Sequence, residues 1–179
     1  MTEILNKISK ILYTSGEDNL SEDIFKPCLE EALLYDRAAG FFSSSALVTW
    51  ASALPAFLEN KNREIRLLIS QNLSASDLAV LSSYAADQQD DFCERRVEEY
   101  FEAAIAFCAD TENFKLRSDI FAGLLFTGKM KIKIAFMENE IDDLDGDYHA
   151  KMGVYTFPNG EQIAFNETAN ESLHSHRKQ

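Results

Sequence analysis

Two short apolar runs each precede a stretch with helical spacing, and this alternation constrains the fold more than any other feature of the sequence. The runs are DRAAGFF, residues 36–42, and EIRLLIS, residues 64–70. Both are short for a helix and are typical of buried strands. Residues 46–59 and about 74–84, which follow the runs, have the spacing of helices, and Ser74 with Asp77 three positions later predicts a capping box. A strand, helix, strand, helix succession predicts an α/β fold.

The second half of the chain predicts three more strands. Residues 129–136, KMKIKIAF, alternate strictly between lysine and apolar side chains, which is typical of an edge strand with one face in water. Residues 148–157 and 161–165 predict a hairpin around Asn159-Gly160, a strong tight-turn pair. Further helices are predicted for residues 2–13, 23–35, 87–110 and 114–126. We therefore expect a mixed β-sheet flanked by helices on both faces.

The length and the net charge of the chain limit the number of domains and the kind of binding surface that we expect. Its 179 residues contain no Gly/Ser-rich or Pro-rich linker, so residues 1–179 are expected to form a single domain. The net charge of −13 argues against a surface that grips a polyanion over its whole area, so any phosphate chemistry is expected to be local. No apolar run approaches the ~20 residues of a membrane span. The odd number of widely spaced cysteines favours reduced thiols, and the expected compartment is the cytoplasm.

A cluster of polar residues brackets the predicted hairpin. His149 and Lys151 are two apart, so they share a face if they lie in a strand. The turn folds the chain back, which brings the residues after Phe165 beside those before Lys151. An imidazole, an ammonium group and Asn/Glu side chains are what phosphoryl transfer requires: a nucleophile, and donors for the nonbridging oxygens.

These residues resemble a known motif. The HxK of His149-Ala150-Lys151, followed by Glu167-Thr168-Ala169-Asn170, is similar to the HxK…GSxN half-motif of the phospholipase D superfamily. The resemblance is closest to the phospholipase-D-like domains found at the N-terminus of bacterial DEAD/DEAH-type helicases and in some restriction endonucleases. DRAAGFFSSSALVTWASAL and REIRLLIS resemble the opening strand, helix and second strand of those domains, so the resemblance covers about residues 25–172.

The resemblance implies a phospholipase-D-like α-β-α sandwich and a metal-independent phosphodiesterase, a nuclease acting on DNA, with no cofactor. It implies that His149 is the nucleophile that forms a covalent phosphohistidine and that Lys151 binds the phosphate. Asn170 matches the asparagine of GSxN, and Glu171 matches the acidic residue of the helicase-linked group. Because that chemistry uses two HxK motifs, the resemblance implies either a homodimer in which two His149 residues face each other or pairing with a second copy of the motif elsewhere in a longer chain. It also implies that the chain is the N-terminal part of a longer protein with a C-terminal helicase/ATPase domain.

Two positions depart from the family pattern. Thr156 stands where the family has an aspartate, five residues after the lysine, and Glu167-Thr168 replaces the small Gly-Ser pair. A catalytically inactive nucleic-acid-binding or dimerisation module of the same fold is therefore the alternative function.

Other polar residues are candidates for the phosphate site, and some of them also have a structural interpretation. Ser43 and Ser44 either bind phosphate at a helix N-terminus or only cap the helix. Asn166 and Thr168 are expected to line the pocket. Arg37 is either a second cation for the phosphate or a surface charge, and the surface interpretation is slightly favoured. The acidic loop at residues 138–147 lacks the glycine of an EF-hand, so no metal site is predicted.

Overall fold

The computed structural model describes most of the chain. The described residues are 4, 8, 10, 12–14, 17–70, 73–87, 95–135, 148 and 150–166; for residues 84–87 and 95–101 only the backbone is described.

The centre of the fold is a five-stranded mixed sheet with the strand order β3-β2-β1-β4-β5. Strands β1, β2 and β3 are parallel, β4 runs antiparallel to β1, and β5 runs antiparallel to β4. The strands are β1 (Leu34–Ala39), β2 (Glu64–Ile69), β3 (Met130–Ile134), β4 (Lys151–Thr156) and β5 (Gln162–Asn166). The predicted α/β class, the mixed sheet and the edge position of β3 are confirmed.

The helices follow the strands as the sequence pattern predicts. They are α1 (Lys26–Glu31), α2 (Leu47–Trp50), α3 (Leu54–Glu59), α4 (Ala75–Asp87), α5 (Arg95–Ala109) and α6 (Phe114–Phe126). A π-helical turn, Ser21–Phe25, leads into α1, and two 3₁₀ turns, Ser44–Ala46 and Ala51–Ala53, flank α2.

Local signals account for several of these boundaries. The capping box predicted before α4 is formed, because the Asp77 amide donates to Ser74 Oγ at 3.1 Å. Asn113 caps α6 by accepting a hydrogen bond from the Leu116 amide at 3.2 Å. Gly128, with φ +68°, ends α6, and Gly160, with φ +82°, forms the predicted hairpin turn.

The two faces of the sheet differ sharply. On one face, which we call the covered face, side chains from β1, β2 and β4 alternate inward and pack with buried or half-buried side chains of every described helix. Tyr35, Tyr155 and Trp50 are at its centre: the two tyrosine rings stack with centroids 4.4 Å apart, and Trp50 meets Tyr35 edge-on at 5.8 Å. The fully buried aromatic and aliphatic side chains here make up one continuous core.

The opposite face, the open face, carries no buried side chain among its described strand residues. These residues line a groove of about 550 Å³. The principal side chains of the open face are Asp36, Ala38, Arg66, Leu68, Lys131, Lys133, Met152 and Val154. Helices on both faces were expected; within the described ranges the helices contribute to the covered face only.

Several predicted boundaries are corrected. The first strand was predicted at residues 36–42 but lies at Leu34–Ala39, because Leu34 and Tyr35 already pair with both neighbouring strands. The preceding helix ends at Glu31 rather than at residue 35, since Ala32 is extended (φ −66°, ψ 145°). The helix predicted for residues 87–110 is observed at Arg95–Ala109, and most of the helix predicted for residues 2–13 lies outside the described ranges.

Candidate functional site

The predicted site lies at one edge of the sheet, where each of the five strands has one of its ends. The parallel strands β1, β2 and β3 all end there. Because β4 is antiparallel to β1, it begins at this carboxyl edge with Lys151, and β5 ends there with Asn166 paired to Met152. Ligands of α/β proteins bind at the carboxyl ends of parallel strands. The convergence of the two hairpin strand ends that the sequence predicted is thus present.

Lys151 lies on the covered face. It is the first residue of β4 and pairs with Ala39, the last residue of β1. Its side chain is half-buried. His149, two residues earlier, lies outside the described ranges, as do Thr168, Asn170 and Glu171.

Asn166 lies on the other face. It pairs with Met152, so it follows the alternation of Met152 and not that of Lys151, and its side chain is exposed on the open face. This corrects the expectation that Asn166 and Lys151 line one pocket. The prediction failed because a one-residue difference in register exchanges the faces of a strand.

Of the two serines after β1, Ser43 caps the 3₁₀ turn Ser44–Ala46, and Ser44 is the first residue of that turn. The Ser45 amide donates to Ser43 Oγ at 3.3 Å, and the Ser44 amide donates to Asp77 Oδ2 at 3.2 Å. The Asp77 side chain, which is 2 % exposed, also accepts a hydrogen bond from Ser74 Oγ at 2.7 Å. The capping interpretation therefore fits Ser43. A phosphate at the Ser44 amide would first have to displace the Asp77 carboxylate.

Thr156, the departure from the family aspartate, is far from the carboxyl edge. It is the last residue of β4, pairs with Leu34 and Gln162, and accepts a hydrogen bond from Gln162 Nε2 at 3.0 Å. It is five residue steps along the strand from Lys151, a distance of about 16 Å. A threonine here leaves the surroundings of Lys151 unchanged.

Arg37 is buried, although the sequence slightly favoured a surface position. It is 2 % exposed and lies on the covered face, so the surface interpretation is wrong. Its guanidinium carbon is 5.2 Å from the centre of the Phe165 ring, within the range of a cation–π contact. The signal was present in the alternation of Tyr35, Arg37 and Ala39, but a strand that begins at residue 36 does not include Tyr35, the residue that identifies the inner face.

Gly153 makes this contact possible. It pairs with Arg37 on one side and with Phe165 on the other. The Phe165 ring lies over it so closely that a Cβ added to Gly153 would be 2.3 Å from Phe165 Cζ. Any larger residue would push the ring away from Arg37.

Within the described ranges, no three His, Cys, Asp or Glu side chains are grouped so that they could hold a metal ion. None of the described helices combines the length and the apolar character needed to cross a bilayer.

Comparisons with protein-family models, with curated proteins and with solved structures gave no match for this chain. The resemblance to the phospholipase D superfamily therefore rests on the residues quoted above and stays a prediction.

Proposed function

We propose that this chain is a metal-independent phosphodiesterase of the phospholipase-D-like type that cleaves DNA. His149 attacks the phosphorus atom of a phosphodiester, a nitrogen–phosphorus bond forms, and the bond to the leaving oxygen breaks. The second His149, from another copy of the chain, gives that oxygen its proton. Water, deprotonated by the same second histidine, then attacks the phosphohistidine and releases His149.

The observation that carries the proposal is the position of Lys151. It is the first residue of β4 on the covered face, at the edge where the parallel strands end and where β5 ends at Asn166, four residues before Asn170 in the sequence. An ammonium group there can bind the nonbridging oxygens as their charge develops. DNA as the substrate, the homodimer and a C-terminal helicase domain follow from the family resemblance alone.

The first experiment measures cleavage of plasmid DNA and of bis(4-nitrophenyl) phosphate in EDTA. We expect activity that His149→Ala abolishes and that Lys151→Ala lowers by about 10²–10³-fold, the usual cost of losing a donor to a developing oxyanion. Lys133→Ala is the matched control, because Lys133 is an exposed lysine on the open face. Activity that disappears on chelation, or that survives in His149→Ala, would contradict the mechanism.

A binding or dimerisation module without catalysis is the second candidate. Glu167 in place of a small residue favours it, as does the Ser44 amide that Asp77 already occupies. This module would bind DNA without turnover, and His149→Ala would leave its affinity unchanged. Sedimentation of the wild-type chain, performed in parallel, tests the homodimer that the catalytic proposal requires.

A further inference from the structure

We propose that Arg37 is the second cation of the phosphate site and holds the substrate phosphate together with Lys151. This inference rests on the proposed function, since it assigns a further binding residue to the same site. It concerns phosphate oxygens in general, as found in a nucleic acid backbone or in inorganic phosphate.

The strand register brings the two cations together. Lys151 pairs with Ala39, and Arg37 pairs with Gly153, so Arg37 and Lys151 are diagonal neighbours on the covered face. Diagonal neighbours in an antiparallel pair have their Cα atoms about 7–8 Å apart, within reach of two long side chains. Both cations thus belong to one small area at the carboxyl edge.

The two residues paired with the cations are small, and the Phe165 ring lies over one of them, Gly153. Ala39 is the only side chain of β1 between Arg37 and the carboxyl edge on the covered face, and Gly153 offers no side chain at all. Elsewhere the same face is filled by rings such as Tyr35 and Tyr155. The two positions with the least volume are therefore the two that lie opposite the cations.

Phe165 lies against the guanidinium of Arg37 and restricts where it can move. Its ring is 5.2 Å from the guanidinium carbon, and it is itself held edge-on by Phe25 at 5.9 Å. A guanidinium that stacks on a ring keeps its fork of N–H donors in one plane, and that fork matches two oxygens of a phosphate. Lysine supplies a point charge without such a plane, so the two cations have different tasks.

Burial makes an anion between the cations favourable. Arginine stays protonated in proteins, and charges interact more strongly away from water. Lys151, half-buried, forms the rim of the site, whereas Arg37, 2 % exposed, forms its floor. A phosphate therefore meets Lys151 first and contacts Arg37 when it is fully seated.

The test compares Arg37→Met with Arg66→Met. Methionine keeps much of the apolar length of arginine and removes the charge, and Arg66 is an arginine on the open face of the neighbouring strand. Two quantities are measured for the full chain: the rise in melting temperature in inorganic phosphate relative to chloride at equal ionic strength, and KM and kcat for bis(4-nitrophenyl) phosphate. We expect Arg37→Met to lose the phosphate-dependent rise and to raise KM by about 10–100-fold, the usual value of hydrogen bonds to a charged group. Arg66→Met should behave as the wild type.

Arg37→Lys keeps the test valid if Arg37→Met does not fold. It retains the charge but not the fork, so we expect it to fold and to lose most of the phosphate-dependent rise. A rise equal to that of the wild type in either Arg37 variant, or no rise in the wild type over the millimolar range, overturns the proposal.

The two measurements separate this inference from the proposed function. Hydrolysis that persists with unchanged KM in the Arg37 variants leaves the phosphodiesterase standing and overturns the role of Arg37. If the wild-type chain hydrolyses nothing but phosphate stabilises it only when Arg37 is present, the role of Arg37 in binding phosphate stands and the phosphodiesterase is overturned.

Discussion

Arg37 and Arg66 lie in adjacent strands on opposite faces of the sheet, and their surroundings have little in common. Arg66 is on the open face, has a half-exposed side chain, and donates to both carboxylate oxygens of Asp36 at 2.5 Å. Arg37 is on the covered face, 2 % exposed, with its guanidinium against Phe165. One arginine is in an ion pair that reaches water, and the other lies against an aromatic ring away from water.

The comparison shows where the sheet concentrates electrostatic effects. An exposed ion pair contributes little to the stability of the fold, because water screens the attraction and because both side chains lose conformational entropy. A cation away from water acts more strongly on any charge near it. The covered face at the carboxyl edge is thus the place where a few side chains can have a large effect on a bound phosphate.

The largest expected effect concerns the packing of the two faces. Tyr155 and Val154 are consecutive residues of β4, but Tyr155 is fully buried on the covered face and Val154 is half-buried on the open face. Tyr155→Ala should lower the free energy of unfolding by about 3–5 kcal/mol, because it leaves a cavity beside Tyr35. Val154→Ala should lower it by at most about 1 kcal/mol.

Urea unfolding of both variants measures this difference. Similar losses for the two substitutions would mean that the open face is as well packed as the covered face. The contrast between the faces would then be wrong.

The features of the fold that could be predicted from the sequence are those that depend on residues close together in the chain. The order of strands and helices was predictable, because short apolar runs and helical spacing are local patterns. The hairpin was predictable from Asn159-Gly160, and the capping box from Ser74 and Asp77. These features depend on residues a few positions apart.

The face on which each residue lies was harder to predict. Asn166 was expected beside Lys151 but lies on the opposite face, and Arg37 was expected at the surface but is buried. Both errors come from strand register, and a shift of one residue reverses every assignment in a strand. The interaction between the Ser44 amide and Asp77 joins residues 33 positions apart, and no local pattern indicates it.

A second prediction compares Lys129 with Lys131. Lys129, 8 % exposed, donates to the Asn60 carbonyl and lies 5.9 Å from the centre of the Phe57 ring, whereas Lys131 is exposed and pairs with Glu64 at 2.7 Å. Burial, with a smaller contribution from the charge of Arg63, lowers the pKa of Lys129 from 10.5 to about 8.

The sign of the resulting pH dependence follows from this lowered pKa. Between pH 8 and 10.5 the unfolded chain binds the Lys129 proton and the folded chain does not, so the free energy of unfolding rises with pH. Lys129→Met should abolish a rise on the order of 3 kcal/mol, whereas Lys131→Met should retain it. Burial raises the pKa of Cys28 from 9.0 to about 12, which lowers stability above pH 9, but that contribution is common to all three chains and cancels. The same profile in wild type and Lys129→Met would show that the Lys129 ammonium is well hydrated.

The smallest effect is expected for the ion pair on the open face. A double-mutant cycle of Arg66→Met and Asp36→Asn should give a coupling energy of at most about 1 kcal/mol, because both side chains reach water. The coupling should fall further in about 1 M salt, where charges are screened within about 3 Å. A coupling well above 2 kcal/mol that resists salt would mean that the pair is shielded from water in solution. Since parallel strands are seldom left uncovered on one face, that outcome would indicate that another part of the protein, or a second copy, lies over the groove that Arg66 lines.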